Sequence, residues 1–227
     1  MAVTPRRRRA ALEDPFAVPA ARRTDVAARD PGFPAGVGMD EAAALARSCT
    51  LCADRLPLGP RPICQLHAEA RILVTSQAPG TKAHFSGVPF DDASGERLRD
   101  WLGMDRATFW DPTRLAILPM GMCYPGRLPN GGDAPPCRDC APTWHPRILP
   151  LFRDLRVRLL VGSYAVRFVL GPKPGLAERV REFRATLPGV FPLPHPSWRT
   201  LVWAKRNPWF EEDVLPALRQ EVARALS

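Results

Sequence analysis

Four short apolar runs punctuate the chain: Ile72–Thr75 (ILVT), Leu115–Met120 (LAILPM), Val157–Val161 (VRLLV) and Val190–Leu193 (VFPL). Each is too short for a buried helix, rich in leucine or β-branched residues, and bounded by turn formers, so each reads as a strand. Near-continuous apolar character marks strands buried on both faces. Between and after them lie helical stretches at about Ser94–Leu102, Thr143–Leu155, Ser163–Leu170 and Leu176–Leu187. A final helix is expected from about Pro208 to Leu226. Asn207 stands as its N-cap, Pro208 at its first position, and Glu211, Glu212 and Asp213 in its first turns, where the helix dipole favours negative charge. Such alternation predicts an α/β protein of three layers, α/β/α, around a central, mainly parallel four-stranded sheet.

In open parallel sheets, ligands sit outside the carboxyl ends of the strands. That rule brings three loops together: SQAPG (Ser76–Gly80), MGMCYPG (Met120–Gly126) and PHPSWR (Pro194–Arg199). Residues 1–38 hold scattered prolines and the run Arg6-Arg7-Arg8-Arg9 without periodicity, and are expected to form a disordered basic tail. The domain is expected over 39–227, with Asp40 capping its first helix. A formal net charge of +9 suits a nucleic-acid partner. No apolar run approaches the roughly 20 residues that span a bilayer, and the N-terminus has no continuous apolar core of a signal peptide. The expectation is a cytoplasmic, nucleoid-associated bacterial protein with no membrane contact and no obligate protein partner. In that compartment six cysteines argue for metal binding or buried thiols rather than disulfides.

The loops carry the chemistry. After Thr75 come Gln77, Pro79 and Gly80, then Gly87, Pro89 and Phe90. A rigid, glycine-opened loop with one amide and one ring suits a flat polar ligand. His195 lies between Pro194 and Pro196 just past a strand end, so its imidazole is aimed by a restricted backbone. Ser197 and nearby amides suit a phosphate. Trp198 and Arg199, then Lys205 and Arg206, combine an apolar wedge with cations, as in proteins that insert a side chain into DNA while gripping its backbone.

Together, strand–SQAPG with its downstream G-x-P-F and strand–HPS resemble the uracil-DNA glycosylase superfamily, most of all its bacterial and archaeal iron–sulfur members. The resemblance runs from about Cys49 to the C-terminus. It implies a monofunctional glycosylase that hydrolyses the N-glycosidic bond of uracil, or a related deaminated base, in DNA during base-excision repair. By the same resemblance Phe90 stacks on the everted base and the Gln77–Ala78 region lines the base and sugar. His195 donates to uracil O2, while Ser197, Trp198, Arg199 and Lys205 hold DNA. The family's cysteine order selects Cys49, Cys52, Cys123 and Cys140 for a [4Fe–4S] cluster. Spacing alone offers a rival zinc set, Cys49, Cys52, Cys137 and Cys140, as two C-x-x-C pairs.

The match has departures. Ser76 and Gln77 replace the glycine and carboxylate that open the family's first motif, and Ala83 stands where a second acidic residue is expected. Pro119 occupies the position of the asparagine that reads the uracil edge. Asp91 and Asp92 are the nearest carboxylates for orienting water, with helix capping as their other role. Two further readings stay open: a DNA- or lesion-binding relative that does not cleave, and a metal-containing partner module.

Overall fold

A computed structural model describes residues 33–34, 36–129 and 131–227. The Arg6–Arg9 run and nearly all of the expected tail lie outside the described residues. Phe33 and Val37, near the end of that segment, pack on the domain: the Phe33 ring meets Trp144 edge-on at 6.4 Å and Val37 is buried.

In chain order the elements are α1 (Met39–Arg47), β1 (Ile72–Thr75), α2 (Thr81–Ser86), α3 (Ala93–Leu102), α4 (Arg106–Phe109), β2 (Leu115–Ile117), α5 (Cys140–Ile148), β3 (Val157–Val161), α6 (Ser163–Leu170), α7 (Leu176–Arg181), β4 (Val190–Leu193), α8 (Trp198–Lys205) and α9 (Leu215–Leu226). The strands form one parallel sheet in the order β2-β1-β3-β4. Leu73 of β1 pairs with Ala116 and Arg158, and Val74 with Ile117 and Leu159.

Strand alternation divides the core. Ile72, Val74, Leu115, Ile117, Leu159 and Phe191 face one layer, covered by Leu98 of α3, Phe109 of α4 and Leu218 of α9. Leu73 and Ala116 face the other, against Trp144 and Ile148 of α5 and Ala43 of α1. Leu160 and Val190 lie on the same face as Leu73, farther along the sheet, and meet α6 through Ala165, Val166 and Phe168. The expected three-layer α/β/α fold is the observed one. No helix among the described residues is long and apolar enough to cross a membrane.

Five local readings change. Gly38 rather than Asp40 stands at the cap of the first helix, with Asp40 inside its first turn, and the helix expected over Leu176–Leu187 ends at Arg181 before a 3-10 turn. The second strand ends at Ile117 rather than Met120, because the chain then turns into the loop that carries Pro119. The helix expected from Thr143 begins at Cys140 and gives way at Leu149 to a 3-10 turn. Asn207 does not cap the last helix with its side chain. Its Nδ2 donates to the Trp203 carbonyl (2.8 Å), closing the end of α8, and the chain passes through a π-helical turn, Phe210–Val214, before α9.

Candidate active site

The first and second loops are stitched together beyond the sheet. Met120 N–H donates to the Ser76 carbonyl at 2.8 Å and Gly121 N–H to the Gln77 carbonyl at 2.9 Å, which continues the parallel pairing past β1 and β2. The chain then turns at Ala78-Pro79-Gly80 into α2. At this carboxyl edge lies a pocket of about 80 Å³, room for several waters or one small ring, walled by Ala78, Gly80, Phe90, Pro119 and His195.

Phe90 is placed by strain. It is the one non-glycine residue with positive φ among those described (57°), a conformation that few bulky side chains adopt without surrounding constraint. The constraint is visible. Its backbone rests on the first turn of α3 at Gly95, where a Cβ would stand 2.7 Å from the Phe90 carbonyl carbon. Its ring meets Phe109 edge-on at 6.0 Å, and Trp110 Nε1–H holds the neighbouring Pro89 carbonyl at 3.0 Å.

His195 follows β4 in a loop fixed from three sides. Its carbonyl accepts from the Ser197 N–H (2.8 Å) and the Thr200 hydroxyl. Arg97 of α3 donates to the Pro196 carbonyl at 2.6 Å. Gly162, with φ of 90°, lies against it, so a Cβ there would stand 3.4 Å from His195 Cβ. Burial holds the His195 pKa below the usual histidine value, opposed by Asp92 and Asp133 and helped by Arg97. The imidazole is therefore neutral near pH 7, with one N–H to donate and no charge to neutralise.

Pro119 lines the pocket without a polar side chain, but its carbonyl is anchored from below. His145 Nε2–H donates to it at 3.1 Å, Arg158 donates to His145 Nδ1 at 2.9 Å, and Arg158 Nε donates to Thr75 Oγ1 at 3.0 Å. This fixes the His145 tautomer. All three side chains are buried. Burial, with the Arg158 charge beside it, drives the His145 pKa down to about 3, and burial lowers Arg158 to about 10. The network ties the end of β1 to the second loop through the middle of the sheet. An arginine inside VRLLV was its only trace in the sequence.

The other expected residues are distributed around this pocket. Gln77 turns its amide toward the Ala134 carbonyl (3.4 Å) and lines an adjoining groove on the other side of His195, with Ser163, Arg199 and Trp203. Asp91 faces an open hollow with Arg99 and Arg106, whereas Asp92 enters the pocket while capping α3 through Gly95 N–H (2.8 Å). Ser197 precedes α8, and Trp198 and Arg199 occupy its first turn. Trp198 is 65% exposed, with the Arg199 guanidinium 5.1 Å from its ring centre. Leu201 and Val202 extend that apolar face toward Lys205. The sequence reading missed α8 itself and Asp133, a loop carboxylate that reaches the pocket.

Five thiols, Cys49, Cys52, Cys123, Cys137 and Cys140, line one small cavity, so both expected ligand sets converge on a single place. Met122 N–H points at Cys140 Sγ (3.4 Å), and Cys52 contacts Cys137. No three His, Cys, Asp or Glu side chains among the described residues are close enough to hold one metal ion. Burial pushes Cys123 up to about 11 and Cys140 higher still, so near pH 7 these two thiols stay protonated unless a cation is bound beside them. Soft sulfur donors spread around a cavity fit a polynuclear cluster. Cys64 lies outside this group.

Compared with known families, residues 64–219 match the model described as Uracil DNA glycosylase superfamily.

Proposed function

Because the chain belongs to the uracil DNA glycosylase superfamily, we propose that it hydrolyses the N-glycosidic bond of uracil, or of a related deaminated base, in DNA. Superfamily membership supports a DNA glycosylase-like activity. What carries the finer reading is that Phe90, His195 and the Ala78–Gly80 turn bound one small pocket at the carboxyl edge of a parallel sheet.

The chemistry follows from those groups. A base everted from the stack, at a cost of a few kcal/mol, enters the pocket and lies against Phe90. Trp198, beside Arg199 and Lys205, fills the space the base has left and holds the backbone. As the C1′–N1 bond lengthens, negative charge gathers on the base, and neutral His195 donates a hydrogen bond to its O2. A donor aimed at developing charge typically contributes about 100- to 1,000-fold in rate. Water completes hydrolysis at C1′ and leaves an abasic site. Pro119 offers no side-chain donor to the base edge, so recognition there falls to backbone groups held by the His145–Arg158 network.

Within the same proposal, Cys49, Cys52, Cys123 and Cys140 would hold a [4Fe–4S] cluster; in the zinc alternative Cys137 would replace Cys123, and the thiols would have to draw together around the single ion. Bound there, the group is structural, linking the segment before β1 to the second loop and the start of α5.

The test is incubation with a labelled oligonucleotide carrying one uracil, single-stranded or opposite guanine, followed by alkali. Scission at the uracil supports the glycosylase. Tight uracil-dependent binding with intact strands supports a second reading, a non-cleaving lesion binder, which Pro119 at the base edge favours. Absence of binding overturns both.

A further inference from the structure

The first-motif carboxylate of the family is Gln77 here, and its amide turns away from the pocket toward Ala134. The pocket nevertheless contains two carboxylates from other segments. We propose that Asp92 and Asp133 together hold and activate the water that attacks C1′ of the everted nucleotide, an inference that rests on the glycosylase reading above.

The geometry centres on Gly80. At the place where its Cβ would stand, Asp133 Oδ2 is 3.5 Å away and Asp92 Oδ2 is 3.8 Å away. The missing side chain thus leaves a space flanked by two acidic oxygens that arrive from different loops. Both residues wall the same pocket as Phe90 and His195. A water held off the bare Gly80 Cα, on the pocket side of that point, donates one hydrogen to each oxygen and keeps a lone pair for carbon.

The two carboxylates differ in kind. Asp92 is rigid: its Oδ1 accepts the Gly95 N–H at 2.8 Å as the α3 cap, which leaves Oδ2 to the pocket. Asp133 sits on the loop before α5, and its carboxylate has Arg127, His195 and Asp92 as charged neighbours. Partial burial and the Asp92 charge raise the Asp133 pKa, while Arg127 and His195 oppose the rise. A more basic carboxylate is the better proton acceptor, so Asp92 positions the water and Asp133 takes its proton. In the step, the water oxygen bonds to C1′ as the C1′–N1 electron pair leaves with the base. One water proton passes to Asp133, and the base anion, held by His195, is later protonated by solvent.

Single-turnover excision of uracil by Asp92→Asn, Asp133→Asn and the double variant tests this, alongside binding to the same oligonucleotide. Asparagine keeps the size and caps helices as well as aspartate, so folding is preserved. The expected result is a fall in rate of about 100-fold or more for each variant, with unchanged binding. The fall in wild-type rate on acidification is lost in Asp133→Asn. A double variant within about threefold of wild type, or losses in binding that match the losses in rate, overturns the proposal. A wild-type chain that excises nothing while binding uracil-containing DNA removes the glycosylase reading and this proposal with it.

Discussion

The carbonyl carbon of Phe90 lies 2.7 Å from the point where a Cβ on Gly95 would stand. The helix that supports the pocket therefore begins against the residue that forms its floor. Gly95→Ala forces Phe90 out of its left-handed conformation or α3 away from it. The expected cost is about 1–3 kcal/mol of stability, as for other overpacked sites, together with loss of excision. Urea denaturation and the uracil assay read both, and an alanine variant with wild-type stability and rate would contradict this account of Phe90.

The buried histidine under the second loop gives a signed pH dependence. The folded-state pKa of His145 is depressed to about 3 from 6.5, so between those values the unfolded chain binds a proton that the folded chain does not. Stability is then full above pH 6.5 and declines on acidification at roughly 1.4 kcal/mol per pH unit. Glutamine offers the same acceptor and donor to Arg158 and Pro119 without titrating. Urea unfolding at pH 7.5 and pH 5 should show His145→Gln losing about 2 kcal/mol less than wild type. Equal acid losses would exclude His145 as the cause.

Trp198 is exposed and stands clear of the core, so its truncation should leave thermal stability within about 0.5 kcal/mol. If it occupies the gap left by an everted base, Trp198→Ala weakens binding to uracil-containing duplex by about 1–3 kcal/mol and affects single strands less. Lys205→Ala should weaken binding to every sequence alike and lower the salt slope by about one unit. A Trp198→Ala loss identical on single and double strands would argue against a wedge.

The cysteine cavity separates its two candidate ligand sets by substitution. With a cluster on Cys49, Cys52, Cys123 and Cys140, Cys123→Ser abolishes the visible absorbance and the bound iron, and Cys137→Ser retains both. The reverse pattern, with zinc found by metal analysis, selects the two C-x-x-C pairs. Removing the bound metal should lower the melting temperature in either case, because the thiols link three separate segments.

Legibility in the sequence followed locality. Ile72–Thr75, Val157–Val161 and Val190–Leu193 appear at their expected boundaries, because strands buried on both faces read as unbroken apolar runs. The placement of His195 and Phe90 at one pocket was legible because proline and glycine mark the backbone that carries them. Helix α8 was hidden. It follows two prolines, and Trp198, Leu201 and Val202 face outward, so no core-directed periodicity announces it. Asp133 was invisible for a different reason: its value lies in meeting Gly80 and Asp92 across the fold, which nothing near it in the chain encodes. Asp92 rather than Asp91 enters the pocket because the α3 cap fixes which of the two turns inward.

The most direct test of the central claim compares wild type with His195→Ala, measuring single-turnover excision of uracil and binding to the same oligonucleotide. The account predicts a rate loss of about 100- to 1,000-fold with affinity nearly unchanged, because the imidazole acts on charge that appears only as the base departs. Equal losses in rate and binding, or a variant that excises as fast as wild type, would contradict it.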